Sequence, residues 1–142
     1  MLTAAQLLRH KGGNTYNVDP DAPVIEAIRL MAEHSVGALL VMKDDRLVGV
    51  ISERDYARKV ILRGHSSSEI PVRQIMSSPV LTVKPDQTVH DCMQLMTDKR
   101  IRHLPVVDRE RVVGVLSIGD LVRAVLEEQQ QTIADLERYI RS

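Results

Sequence analysis

Val18–Val60 reads VDPDAPVIEAIRLMAEHSVGALLVMKDDRLVGVISERDYARKV, and Val83–Val125 reads VKPDQTVHDCMQLMTDKRIRHLPVVDRERVVGVLSIGDLVRAV. The two stretches align without a gap at an offset of 65, and 16 of the 43 aligned positions are identical. Repetition at a fixed spacing marks one supersecondary unit used twice, because neither copy buries its apolar face well alone. Two copies packed about a pseudo-twofold are expected to leave two equivalent clefts, and function is sought there.

Each copy opens with a short extended piece ending in Val-x-Pro-Asp, at Val18–Asp21 and Val83–Asp86. Proline has no N–H for a strand ladder and suits the start of a helix. Helical spacing follows, with Val24, Ile28 and Met31 in one copy and Val89, Met93 and Met96 in the other. Two β-rich runs come next, Ala38–Met42 and Leu47–Ile51, joined by the polar turn KDDR. Their counterparts are Leu104–Val107 and Val112–Leu116, joined by DRER, so each pair reads as a hairpin. A second helix starts at about Glu53 and about Ile118. The predicted unit is β-α-β-β-α, twice, an α+β (α/β) fold packed as a pseudo-twofold intramolecular dimer.

Working outward, residues 1–14 form a lead-in with a short helix over Leu2–His10, ended by Gly12-Gly13. The first repeat is expected over 15–62 and the second over 79–126. Between them, residues 63–78 read as a loop, rich in Ser and Pro, with one short helix around Val72–Met76. Residues 127–142 extend the last helix. No breaker stands between Leu121 and Ser142, and the apolar positions Leu121, Val125, Ile133, Leu136 and Ile140 are interrupted by Glu127–Gln131. Such a helix packs on a partner subunit or back on its own domain, and the pattern leaves both open.

Composition narrows the classes. Nineteen basic and nineteen acidic residues cancel, so no global field draws the chain to duplex nucleic acid or an anionic membrane. Apolar residues make up 44%, but Phe and Trp are absent, so aliphatics and Met fill the core. Met31, Met42, Met76, Met93 and Met96 read as that filler. The longest apolar run, Ala38–Met42, is far too short to span a bilayer, and the first residues lack a secretion-signal pattern. The single cysteine, Cys92, aligns with Ala27 at a helical position and reads as a buried thiol. These features fit a cytoplasmic protein. The five histidines show no metal-ligand spacing, and no Gly-rich phosphate loop, nucleophile elbow or paired carboxylate site is visible. The chain reads as empty of catalytic machinery, with no metal expected.

One local pattern remains. Gly-Val-h-Ser-x-x-Asp, with h aliphatic, stands as Gly49–Asp55 and again as Gly114–Asp120, where a strand runs straight into a helix. A Ser there caps the first turn, and an Asp three residues on bonds back to the cap amide. Taken once, that capping role suffices. Asp is the less usual acid at that position, however, and a helix start after a strand presents free N–H groups to an oxyanion. A carboxylate at such a place is suited to accept both hydroxyls of a ribose.

The repeat, its Val-x-Pro-Asp opening, its paired strands and its Ser-x-x-Asp close resemble the CBS domain, and two in tandem resemble a Bateman module of the stand-alone bacterial type. The resemblance covers residues from about 15 to 126. It implies clefts that bind AMP, ADP, ATP or NAD/NADH, with S-adenosylmethionine ranked behind them. It places Asp55 and Asp120 on the ribose, and Ser52 and Ser117 near ribose or phosphates. Adenine would meet backbone at Val36, Gly37, Ala38 and Leu39, and at Ile101, Arg102, His103, Leu104 and Pro105. The opening strand would add Asn17, Val18, Thr82 and Val83. The copies differ in charge: Arg100, Arg102 and His103 stand opposite Ser35, Gly37 and Ala38, and Arg54 stands opposite Gly119. Arg54, Arg102 and His103 are accordingly assigned to phosphate, for which a guanidinium offers a matched fork of donors.

The expectation is a non-catalytic energy-sensing or related regulatory module that binds an adenosine compound and signals to an unidentified effector protein, pairing as a homodimer. The alternative is a homodimeric interaction scaffold in which the Ser-x-x-Asp pairs only cap helices.

Overall fold

The computed structural model describes residues 2–141. It divides into two compact units, one spanning Asn14–Leu81 and the other joining the residues up to Gly13 to those from Thr82 onward. The helix α1 (Ala4–Lys11) therefore precedes the first repeat in the chain but belongs with the second.

In the first unit, β1 (Asn17–Val18) runs parallel to β2 (Ala38–Lys43), which pairs antiparallel with β3 (Arg46–Ser52). Helix α2 (Val24–His34) buries Val24, Ala27 and Met31, one row at helical spacing, with Ile28 beside it only partly covered. The hairpin turn carries Asp44 and Asp45 at φ 49° and 62°, the double left-handed geometry that matches the twist of two-residue hairpins. After β3 comes α3 (Glu53–Tyr56), continued by a π-helical turn over Ala57–Ile61.

The second unit repeats the plan with α4 (Val89–Lys99), β4 (His103–Asp108), β5 (Arg111–Ser117) and α5 (Ile118–Arg141). Its opening strand shrinks to a single parallel bridge, Val83 to Val106. The buried row of α4 is Val89, Cys92 and Met96, matching Val24, Ala27 and Met31. The mixture of helices with small sheets is the α+β class expected. Ser142, the last residue of the predicted extension, lies outside the described residues.

Both hairpins are bulged at the same place. Val41 pairs Gly49 and Met42 pairs Leu47, so Val48 is the extra residue, and Val113 is its counterpart. Beside each bulge sits a glycine under a close neighbour: a Cβ on Gly49 would lie 2.5 Å from Met76 Sδ, and one on Gly114 2.5 Å from Leu8 Cδ2. A larger residue at either place would push its neighbour out.

Met76 and Leu8 reveal a second repeat register. Val24 N–H donates to Ile70 O, Val72 N–H to Ala22 O and Arg73 N–H to Pro20 O. In the other unit Val89 N–H donates to Leu2 O, Ala4 N–H to Gln87 O and Ala5 N–H to Pro85 O. The stretch LTAAQLL at 2–8 thus covers the second repeat as IPVRQIM at 70–76, which includes a 3-10 turn at Val72–Gln74, covers the first. Ala4 and Leu8 are buried in one core, Val72 and Ile75 in the other.

Candidate functional site

Hairpin register decides which residues meet. Ala38 pairs with Ser52 at the open end of the first hairpin, and Glu53 N–H donates to Gly37 O at 3.0 Å. His103 likewise pairs with Ser117, and Ile118 N–H donates to Arg102 O at 2.9 Å. Each repeat therefore gathers the start of one strand and the Ser-x-x-Asp start of a helix into one place. That grouping includes Gly37, Ala38, Ser52 and Asp55 in the first repeat and Arg102, His103, Ser117 and Asp120 in the second.

The capping geometry is complete at both junctions. Ser52 N–H and Oγ donate to Asp55 Oδ2 at 2.9 and 3.0 Å, and Asp55 N–H donates to Ser52 Oγ at 3.2 Å. Ser117 N–H donates to Asp120 Oδ2 at 2.8 Å, and Asp120 N–H to Ser117 Oγ at 3.1 Å. These are reciprocal capping boxes with Asp in the acidic place.

Each carboxylate also holds a lysine. Lys59, one helical turn beyond Asp55, reaches Oδ1 at 3.2 Å and donates to Ile75 O at 2.9 Å. Lys11 comes from the lead-in helix: its Nζ lies 2.6 Å from Asp120 Oδ2 and 2.6 Å from Val115 O. Both clamps join the Ser-x-x-Asp end to the segment that covers its repeat, but from opposite directions. The carboxylates differ as a result. Asp55 has both oxygens engaged, whereas the Ser117 amide and Lys11 both meet Asp120 at the same oxygen, Oδ2. Burial pushes the Asp120 carboxyl upward, but the hydrogen bonds from Lys11 and the Ser117 amide and the Lys11 charge outweigh it, so its pKa lies below the ordinary value.

The remaining candidate residues fall into groups. Val18, Leu39, Val83 and Leu104 bury their side chains in the two cores, so only their backbone is available to a ligand. Val36 and Ile101 pack against those cores as half-buried residues. Pro105 is buried, with its carbonyl accepting from Val83 N–H. Asn17 and Thr82 are exposed, and Asn17 stands beside Leu40 in the parallel ladder, away from the Ala38–Ser52 end. Arg54 is half-buried and Arg102 exposed, and among the described residues neither guanidinium is held by a carboxylate. Cys92 is fully buried, and burial pushes its thiol pKa up. Among the described residues no three His, Cys, Asp or Glu side chains are grouped as a metal site, and no helix is long and apolar enough to cross a membrane.

Sequence reading missed both lysines. Lys59 was legible, since it stands four residues after Asp55 on the same helix face. Lys11 was not, because 109 residues separate it from Asp120.

A tandem β-α-β-β-α protein whose strand–helix junctions end in Ser-x-x-Asp defines a class, and comparison with known proteins gives its family. The CBS domain model matches twice, at residues 14–62 and 72–127, and the chain belongs to that family. It is 40% identical over 98% of its length to the mitochondrial CBS domain-containing protein CBSX3 of Arabidopsis thaliana, covering 72% of that protein. Among solved structures it resembles a putative signal-transduction protein with CBS domains from Burkholderia ambifaria, with 46% identity, a TM-score of 0.86, and coverage of 89% of this chain and 96% of that one. The CBS domain pair of protein MJ0100, solved with 5′-methylthioadenosine and S-adenosyl-L-methionine, shares the fold at a TM-score of 0.80 and 23% identity, over 90% of this chain and 98% of that one.

Proposed function

We propose that this chain is a non-catalytic regulatory protein that binds an adenosine compound at its Ser-x-x-Asp junctions and passes the occupancy to a partner protein by contact. The observation that carries the reading is Asp120: an ionised carboxylate at a strand–helix junction with an ammonium alongside. A ribose diol is a pair of donors suited to a carboxylate. The ligands reported for the MJ0100 pair are adenosine compounds. Lys11 and Arg102 add positive charge at this end, which favours phosphate-bearing ligands (AMP, ADP, ATP or NAD/NADH) over the cationic S-adenosylmethionine.

The second repeat is the stronger site, since Asp55 already uses both oxygens. Signalling follows from the clamp. A ligand that takes up Asp120 or Lys11 changes how firmly α1 is held, and it shifts that equilibrium by its differential affinity for the two states. A homodimer in the cytoplasm is the setting this reading adopts, and cell fractionation checks the compartment.

One observation favours a different reading. Both capping boxes are complete without a ligand, so the two Asp residues have a structural role already, and the chain would then be an interaction scaffold. A thermal-shift panel with AMP, ADP, ATP, NAD, NADH and S-adenosylmethionine separates the two. A ligand at 100 times its dissociation constant adds about 2.7 kcal/mol. Asp120→Ala costs about 0.5–2 kcal/mol of capping on either reading. Only the ligand reading predicts a shift with a phosphate-bearing adenosine compound that Asp120→Ala abolishes and Asp55→Ala weakens less. No shift with any compound overturns it.

A further inference from the structure

Both repeats set an ammonium on the carboxylate of the Ser-x-x-Asp box, and they find it by unrelated routes. Lys59 lies in the π-helical turn Ala57–Ile61, with Nζ 3.2 Å from Asp55 Oδ1 and 2.9 Å from Ile75 O. Its match 65 positions on is Ala124, which is buried in the second core and carries no charge. Lys11 ends α1, with Nζ 2.6 Å from both Asp120 Oδ2 and Val115 O. In the register that sets 2–8 against 70–76, its match is Pro79. Neither lysine is part of the repeated pattern. What the two junctions share is the arrangement itself, one ammonium bridging the capping carboxylate and a backbone carbonyl. Capping alone does not call for it: the box at the start of α1, Thr3 with Gln6, is complete with an uncharged side chain.

We propose that Lys11 selects the ligand of the second repeat by its phosphate, admitting phosphorylated adenosine compounds and disfavouring neutral or cationic ones. The inference rests on the adenosine reading above, with Asp120 as the ribose carboxylate. The Asp120 side chain is 12% exposed and that of Lys11 36%, so water and salt screen the pair only in part. Its charges sum to zero. Without the ammonium, a phosphate of charge about −2 would meet the full negative charge of Asp120 and be repelled. With it, the balance turns. An ammonium carries three donors, so Lys11 can keep the Val115 carbonyl while a phosphate oxygen joins or replaces the carboxylate. A neutral nucleoside gains nothing from that group. Its ribose diol must share the carboxylate with Lys11, because both donate to the same side chain. A cationic ligand meets the same competition and is repelled as well. One residue thus acts with opposite sign on two ligand classes. The helix that carries it does not depend on the clamp: Ala4 and Leu8 are buried, and the Ala4 and Ala5 amides donate to Gln87 O and Pro85 O. So α1 stays seated when the ammonium turns to a ligand.

Isothermal titration calorimetry of the full chain with AMP and with adenosine tests this. The wild type is expected to bind AMP more tightly than adenosine. Lys11→Met should weaken AMP and strengthen adenosine, lowering the ratio of the two affinities by about tenfold or more, since one ligand loses a charged donor and the other a competitor. S-adenosylmethionine should bind more tightly to the same variant. Lys11→Arg, which keeps the charge and the donors, should keep most of the preference for AMP. The ratio is taken within each protein, so a loss of stability common to both titrations cancels. A ratio unchanged in Lys11→Met, whether both affinities hold or fall together, would overturn the proposal, as would an Arg variant no more selective than the Met one. Either result leaves the adenosine reading standing. No binding of either compound by the wild type overturns both.

Discussion

At Asp120 a carboxylate that caps a helix also receives an ammonium from a helix at the other end of the chain, and the contact has a pH signature. Its folded pKa is lowered although burial alone would raise it. The stabilisation is therefore present in full above the unfolded carboxylate value of about 3.9 and is lost as pH falls through the lowered folded value. Lys11→Met removes the main opposing group. The acid-unfolding midpoint followed by circular dichroism should move to higher pH, with a loss of about 1 kcal/mol at neutral pH for a pair that is partly exposed. Lys59→Met, on the same helix as its carboxylate, should leave α1 docked. Cys92 gives a second expectation at this scale. A fully buried thiol with a raised pKa reacts with a thiol reagent only when its unit opens, so labelling at neutral pH should be slow in the native protein and speed up as denaturant opens the second repeat.

Among the elements, the second hairpin turn departs furthest from sequence preference. Arg109 and Glu110 hold φ 49° and 68°, where Asn and Gly are the residues that sit without strain. Replacing the pair by Asn-Gly should stabilise the protein by about 1 kcal/mol or more, read as a rise in Tm of several degrees. The opposite outcome is expected beside the bulge of the same hairpin. Gly114→Ala places a Cβ 2.5 Å from Leu8, which must leave its buried seat, at a cost of about 1–3 kcal/mol. Ser35 and Arg100, at φ 54° each, close α2 and α4 in left-handed geometry. Gly or Asn fills such a place with least strain, so Arg100→Gly should raise the Tm.

For the molecule as a whole, the decisive fact is that the segment before the first repeat completes the second. Removing residues 1–13 takes away the three backbone bonds around Gln87 and Val89, the buried Leu8 and the Lys11 clamp. Hydrogen exchange should then lose protection in β5 and at the start of α4 while β2 and β3 keep theirs. Truncating Leu8 alone, Leu8→Ala, should cost about 2–5 kcal/mol by cavity formation.

The β-α-β-β-α plan, both hairpins, both helix starts and the two Ser-x-x-Asp boxes were all legible in the sequence. Each rests on residues a few positions apart, where period, turn chemistry and capping act locally, and an ungapped internal copy supplied a second witness. The weak points were tertiary. The opening strand of the second repeat is one bridge at Val83, because strand pairing depends on what lies alongside and not on the Val-x-Pro-Asp text. The equivalence of LTAAQLL with IPVRQIM is faint in letters, and only backbone bonds to Gln87 and Ala22 disclose it. Lys11 came to Asp120 for the same reason, since no local rule connects residues 109 apart until the chain has closed that loop. Helix α5 lies between these cases: its apolar positions are in the sequence, but which of them are buried was decided when Leu121 and Ala124 found the second core.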